Sequence, residues 1–335
     1  MNARSWLPLA SMSTLIVALG AYAALRQDAF LTKYNLGNLL LTTMPLALVA
    51  MGQTCALLVR GFDVSVGALM TMCVVTASFT MTPGSSTVML VFGALALVGV
   101  GVATGVFNAT LIRFFRLPSI IATLGTFSIL EGASLWLRSA PEGPINSDVV
   151  GRLNSAVSFV PLAFIGVIVL AVLLDLWLYR SRPGLALRAV GFDETSSRRL
   201  GMRTGAVILL AFVACSVLAS FAGFYLAAQV QIGSPIIGNQ ALESIAAAVL
   251  GGAALSGGRG SFVGALLAAL FLTEIDNVLP LFQQPTEYAE MTIGALILLA
   301  LVLYQGPELI GRLRASRRKV APLPARAEQA PATTP

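Results

Sequence analysis

The sequence has no histidine, only two lysines, and few charges of either sign: charged residues make up 11% of its 335 positions. Each shortage excludes something. Without histidine, imidazole acid–base catalysis and most zinc sites are ruled out. A phosphate-cradling Walker loop needs Gly-Lys-Ser/Thr. Here Lys33 follows Thr32 and Lys319 follows Arg318, so the chain has no nucleotide site of that kind. A soluble domain carries about 25% charged residues to face water, and this composition does not supply them. The cysteines, Cys55, Cys73 and Cys215, all lie in apolar runs. They are expected as small hydrophobes in helix packing, with no disulfide and no metal site.

What remains is apolar. Hydrophobic residues are 57% of the chain, in long runs broken by short polar clusters. About 20 apolar residues cross the hydrocarbon core, and each crossing must be helical because lipid offers the backbone no partner. Windows near 5–25, 36–59, 64–81, 88–111, 117–137, 157–179 and 205–228 read as spans, followed by a broken stretch at 243–275 and a last span near 289–305. The first run is too long for the apolar region of a signal peptide and is expected to stay as a helix. With 243–275 taken as a two-segment hairpin, 17 of the 21 Lys and Arg share one side, leaving Arg26, Lys33, Arg138 and Arg152 on the other. The crowded side belongs in the cytoplasm. The expected fold is an all-α membrane protein of about ten segments with both termini cytoplasmic. Residues 1–311 form its polytopic transmembrane domain. Residues 312–335 form a tail that is basic from Arg312 to Lys319 and then rich in Pro and Ala. That tail is expected to be disordered beside the anionic lipid headgroups, with no nucleic-acid role.

Two places combine short apolar segments with glycine and arginine. One is Val59-Arg60-Gly61-Phe62-Asp63-Val64-Ser65-Val66-Gly67-Ala68-Leu69; the other runs from Leu250-Gly251-Gly252 through Gly258-Arg259-Gly260 to Val263-Gly264-Ala265-Leu266. Both read as apolar segment, Arg-Gly, Val-Gly-Ala-Leu, apolar segment, which suggests an internal parallel repeat. Segments 243–255 and 263–275 have 13 residues each, or about 20 Å of helix, and neither is expected to span alone. Interrupted segments at matching positions point to a translocation path. The plainer reading is that the glycines permit close helix packing.

These residues carry a resemblance. Ala247-Ala248-Val249-Leu250-Gly251-Gly252 with Ser256-Gly257-Gly258-Arg259-Gly260, and Gly61-Phe62-Asp63-Val64-Ser65-Val66-Gly67, resemble the inner-membrane permeases of bacterial ABC importers for ribose and related carbohydrates. Gly105-Val106-Phe107-Asn108, Ile120-Ile121-Ala122-Thr123-Leu124-Gly125-Thr126, Arg182-Pro183-Gly184, Ala189-Val190-Gly191 and Arg199-Leu200-Gly201 fit the same family. The resemblance implies a non-catalytic, multi-pass inner-membrane permease without a cofactor. Its partners would be a cytoplasmic ATP-binding subunit, a periplasmic solute-binding protein and a second permease, identical or paralogous. It also assigns ATPase coupling to the loop 180–204, here Arg188, Gly191, Asp193, Glu194, Arg198, Arg199 and Gly201. A helix near Asp193–Leu200, opened by Asp193 or Thr195, is expected there. The alternative is a solvated basic loop that only enforces topology.

Other residues carry open alternatives. Asp63 and Ser65, with Gly67, read as a helix cap or as an inner gate. Glu131 sits within an apolar run, where a carboxylate costs roughly 3 kcal/mol. The resembling family commonly has a basic residue around here, so Glu131 departs from its pattern. It is expected either to select solute or to pair with Arg138, and the seven-residue spacing favours the pair. Asp175 reads as a paired or snorkelling interfacial acid. Asn108 and Asn277 are the expected single path residues, joined by Glu131, Gly251, Gly252 and Gly258. A polar outer set, including Gln229, Asn239, Glu274 and Glu290, suits either a polyol or a docked binding protein. Competing functions are an ABC permease for a nucleoside or branched amino acid, and an ion-coupled secondary transporter. An intramembrane enzyme is weakest, because no nucleophile–base set is present.

Overall fold

Hydroxyl and carboxylate side chains at the edges of the apolar runs set where several of the helices begin. The computed structural model describes residues 7–236 and 240–285, with residues 287, 288, 291, 292, 294 and 295. α1 (Leu7–Arg26) leads into α2 (Lys33–Leu58), opened by Thr32, whose side chain accepts the Asn35 N–H. α3 (Val66–Thr80) follows, then α4 (Thr87–Arg113) under a Ser86 cap and α5 (Ser119–Leu137). A short strand β1 (Glu142–Pro144), helix α6 (Ser147–Leu153), and strands β2 (Ala156–Val157) and β3 (Val160–Pro161) precede α7 (Leu162–Arg180). Ser181 caps α8 (Arg182–Phe192) and Asp193 caps α9 (Glu194–Arg199). The described chain continues through α10 (Thr204–Val230), β4 (Ile232–Gly233), α11 (Gln240–Leu250) and α12 (Phe262–Leu281).

Seven described helices, α1, α2, α4, α5, α7, α10 and α12, are long and apolar enough to cross a membrane. α2 is the axis of the bundle: α10, α11 and α12 all pack on it, and α10 also packs on α3 and α4. Burial follows that order, with 83% of the apolar window of α2 enclosed against 22% in α5 and α7. Outer helices expose apolar side chains where lipid replaces protein as solvent. Close approach to α10 depends on small residues. A Cβ on Gly52 would lie 2.7 Å from the Cys215 carbonyl, and one on Gly105 would lie 2.6 Å from Val213 Cα.

The helices alternate direction between two ends. One end gathers Arg60, Arg113, Arg116, Arg180, Arg182, Arg188, Arg198, Arg199, Arg203 and Arg259; the other holds Arg26, Lys33, Arg138 and Arg152. The second end also carries the strands: β1 pairs antiparallel with β4, and β2 with β3. These short ribbons modify the all-α expectation. They form where the chain leaves the bundle between α5 and α7 and after α10. All three cysteines are buried and free, as packing residues would be.

The broken stretch differs from its expected bounds. α11 ends at Leu250, because Gly252 adopts φ 98°, while α12 runs 20 residues to Leu281 and is long enough to span. Polar residues at Glu274 and Asn277 mark a drop in hydropathy but do not stop a helix, so α12 continues through them. The expected last span near 289–305, the tail 312–335, Asn239 and Glu290 lie outside the described residues.

Candidate functional site

Several of the candidate side chains lie at the arginine-rich end, in two adjoining places. The first is the turn between α2 and α3, where Asp63 and Ser65 are fully buried. Asp63 Oδ1 accepts the Ser65 N–H at 3.0 Å and the Ser65 hydroxyl at 2.5 Å. Asn108, from α4, donates its amide to Ser65 Oγ at 2.9 Å and reaches both Asp63 oxygens at 3.4 Å. Its own carbonyl accepts the Thr126 hydroxyl of α5 at 2.6 Å. Ser119 Oγ accepts the Phe62 N–H at 3.1 Å, and Thr123 Oγ1 accepts the Val64 N–H at 3.2 Å. The Gln53 amide, with its nitrogen toward the Asp63 carbonyl, donates at 3.1 Å and accepts the Asp63 N–H at 3.3 Å. A non-helical turn is thereby tolerated inside the bundle because side chains from α2 and α5 satisfy its backbone, while Asn108 of α4 holds its polar side chains.

The second place is where the turn 251–261 meets α8. α2 ends in a Schellman motif: Gly61 N–H bonds to Ala56 O and Arg60 N–H to Leu57 O, with Arg60 left-handed at φ 61°. Leu58 O is left free, and the Gly258 N–H fills it at 2.9 Å. Arg60 Nε donates to Ser256 O at 2.7 Å and its guanidinium also donates to Phe192 O. A Cβ on Gly258 would fall 2.7 Å from Phe192 Cδ2 and 3.0 Å from Arg188 O, while one on Gly191 would overlap Leu58 O. α12 starts beside this turn under two caps. Ser261 accepts from Gly264, and Asp175 of α7 accepts the Phe262 N–H and the Ser261 hydroxyl at 2.8 Å and the Val263 N–H at 3.2 Å.

On the adjoining surface, Asp193, the first of the two expected caps, caps α9 through the Thr195 and Ser196 N–H groups. The Ser196 hydroxyl and backbone bonds hold the Asp193 carboxyl below its ordinary range. Glu194 accepts from Arg113 and from Arg198 at 2.6 Å each, joining α9 to the end of α4. Partial burial raises its pKa, but the bonds and charges of Arg113 and Arg198 outweigh that and leave it lowered. The Arg188 guanidinium lies 4.8 Å over the Tyr179 ring. Arg199 is exposed, and Gly201 turns the chain at φ 80°.

The residues expected to line a path are not gathered in one place. Asn108 lies inside the buried network, and Gly251 and Gly258 are buried in backbone contacts. Gly251 and Gly264 approach so closely that a Cβ on either would overlap the other's backbone, the packing role that the plainer reading gave such glycines. Gly252 meets Pro8 of α1, and Gly67 meets Ala241 of α11. Asn277 exchanges side-chain hydrogen bonds with Asn35 at 2.9 and 3.0 Å, at the opposite end of the bundle.

Glu131 is exposed on α5, and its expected pairing with Arg138 is not formed. Arg138 is the C-cap of α5 with extended backbone, so its side chain turns away from the helix. It donates to the Ser78 hydroxyl and carbonyl, lies over the Phe79 ring and reaches Glu142 at 3.9 Å. Ser65 occupies the N-cap of α3 without a side-chain capping bond, so the capping falls to Asp63, whose carboxylate holds the Ser65 N–H.

Sequence reading missed Gln53, Ser119, Thr123 and Thr126. Their signal was available: Ser119, Thr123 and Thr126 stand four and three apart, one polar stripe on an apolar helix. The bond from Arg60 to Ser256 had none, since 196 residues separate its partners.

Comparison with known proteins covers most of the chain. The family described as "Branched-chain amino acid transport system / permease component" matches residues 35–301. The chain is 33% identical over 312 residues to the autoinducer 2 import system permease protein LsrC of Enterobacter sp. (strain 638), covering 88% of this chain and 85% of that one. LsrC of Salmonella typhi is 33% identical over 318 residues, 91% of this chain and 86% of its own. LsrC of Yersinia pseudotuberculosis serotype I (strain IP32953) is 33% identical over 270 residues, 78% and 74%. No solved structure matches.

Proposed function

We infer that this chain, which belongs to the branched-chain amino acid transport system permease component family, is the multi-pass permease subunit of an ABC importer. It passes a sugar or sugar-like solute inward across the bacterial inner membrane. The observation that carries this reading is the likeness to LsrC permeases along 85% or more of two relatives' length. The two-ended charge distribution supports it. On that reading the arginine-rich end is cytoplasmic, both termini lie there, and about ten segments cross the membrane within residues 1–311, with 312–335 as a tail.

The partners follow from the division of labour. ATP hydrolysis comes from a separate cytoplasmic subunit, solute arrives on a periplasmic binding protein, and a second permease, identical or paralogous, completes the pore. The α8–α9 segment, with Arg188, Gly191, Asp193, Glu194, Arg198, Arg199 and Gly201, is the ATPase contact. Asp63, Ser65 and Gly67 form the inner gate around Asn108. Gly251, Gly252 and Gly258 let the adjacent turn move beside it. Glu131 and Asn277 meet solute further out; an exposed carboxylate on a membrane helix calls for water or a second subunit beside it.

The family's description favours a second reading, in which the solute is a branched-chain amino acid. Vesicles carrying this permease with its neighbouring ATPase and binding protein separate the two. ATP-dependent uptake of autoinducer 2 or ribose, and not of leucine, is expected. Leucine uptake alone would select the second reading, and uptake that persists without ATP would sink both.

A further inference from the structure

Three stretches distant in sequence, 58–61, 188–192 and 256–258, meet backbone to backbone at the arginine-rich end. Arg60 stands at their junction in the left-handed conformation, a position where a helix ordinarily ends in glycine. An arginine there needs a reason beyond backbone shape. The reason on view is its fork of donors: Nε holds Ser256 O at 2.7 Å while the terminal nitrogen holds Phe192 O. The side chain is exposed, so water would solvate either carbonyl without it. The two bonds therefore add little to folding and much to relative position.

We propose that Arg60 is a positioning residue that ties the α8–α9 segment to the 256–258 turn, so that displacement of α8–α9 is delivered jointly to the end of α2 and the start of α12. The proposal rests on the reading of α8–α9 as the ATPase contact. Its geometry is specific. The guanidinium is planar and donates in two directions at once, which an ammonium at the same place cannot reproduce. Glycine residues 191, 257 and 258 leave the space that brings the three backbones together: a Cβ on Gly257 would reach the Arg60 stem and lie 2.6 Å from Gly191 O. α2 and α12 pack on each other, so a push at this junction reaches the bundle axis.

Arg60→Gly is the informative variant, because glycine accepts the positive φ and leaves the helix end intact. The whole importer is reconstituted in proteoliposomes, and ATP hydrolysis and uptake of autoinducer 2 are measured together. Arg60→Gly is expected to keep hydrolysis within about twofold while uptake falls about tenfold or more, raising the ATP spent per solute by a similar factor. Arg60→Lys is expected to resemble Arg60→Gly more than the parent. Gly257→Ala, which displaces the turn while keeping Arg60, is expected to give the same split. Proportional loss of hydrolysis and uptake, no loss of either, or failure of Arg60→Gly to accumulate in the membrane would each overturn the proposal. A parent complex whose uptake ignores ATP would instead sink the importer reading and this inference with it.

Discussion

The turns at 59–65 and 251–261 begin from similar letters, an Arg-Gly step leading into Val-Gly-Ala-Leu, and are held by different physics. The first is buried among side chains: Gln53, Asn108, Ser119 and Thr123 supply its hydrogen bonds from three helices. The second rests on close main-chain contact, with Arg60 and Asp175 as its side-chain partners. Gly252, Gly257 and Gly258 adopt positive φ, and Gly251 and Gly264 let α11 and α12 touch main chain to main chain. The two turns also touch directly, since the Gly258 N–H bonds to Leu58 O. An internal echo in sequence thus specifies similar entry and exit from a turn, while the supporting shell is free to diverge. The first turn should yield to loss of polar atoms, and the second to added carbon.

The harshest test of that contrast is Gly264→Ala. Its Cβ would fall on the Gly251 carbonyl, and neither partner is a flexible side chain. Overpacking costs about 1–3 kcal/mol and occasionally more, and main chain against main chain has the least room to relax. The variant is expected to lose most of its folded yield in detergent-solubilised membranes, measured by monodisperse recovery. An equally added methyl at Gly132, which meets nothing within 4 Å, should leave recovery unchanged.

Asn108→Ala probes the first turn by subtraction. It removes the donor to Ser65 and Asp63 and the acceptor of Thr126, all enclosed in the bundle. Leaving buried polar groups unpaired costs about 1–3 kcal/mol. A lower midpoint is expected in a denaturant titration of the purified permease. Alanine at 108 with no shift would show that the turn is held by its helices alone.

Both turns were legible in the sequence to different depths. The membrane class, six of the spans and the Asp193 cap follow from local pattern: apolar length, arginine placement and a carboxylate ahead of a short helix. The span expected at 64–81 is the 15-residue α3, short of span length because the turn at 59–65 uses up its start. The first turn's polar partners were partly legible, because Ser119, Thr123 and Thr126 repeat on one face of α5. The pairing drawn between Glu131 and Arg138 failed because seven residues make two turns only while the helix continues, and α5 ends at Leu137. The three-stretch junction was not legible at all. Its bonds, from Gly258 N–H and from the Arg60 guanidinium, end on main-chain carbonyls, which every sequence carries, so only the fold selects which of them meet.

Asp175→Asn should have a smaller effect, confined to the second turn. The carboxylate accepts two N–H groups and a hydroxyl at the start of α12 from a neighbouring helix. An amide retains one acceptor and loses the charge that favours a helix N-terminus. A loss of about 1 kcal/mol is expected, read as faster amide exchange at Phe262 and Val263 with little change at residues 62–65. Equal acceleration in both places would mean that the two turns open as one unit.

The least costly change lies between the turns and the solvent, at Glu194. Arg113 and Arg198 hold its carboxyl below the ordinary glutamate value of 4.5, against the opposing effect of partial burial. A depressed pKa contributes stability that is complete above the unfolded value and is lost as pH falls through the folded one. The attachment of α9 to α4 should therefore be constant at neutral pH and weaken below about pH 4.5. Glu194 keeps over a third of its side chain exposed, so screening limits the effect to a few tenths of a kcal/mol. Glu194→Gln should abolish the acid-dependent part, measured by exchange at residues 194–199 between pH 4 and 7. Because neither turn contains this ion pair, exchange at 62–65 and 257–258 should stay the same across that range. If acid loosened the junction as well, Arg60 would be responding to α9 through charge, beyond the two carbonyls it holds.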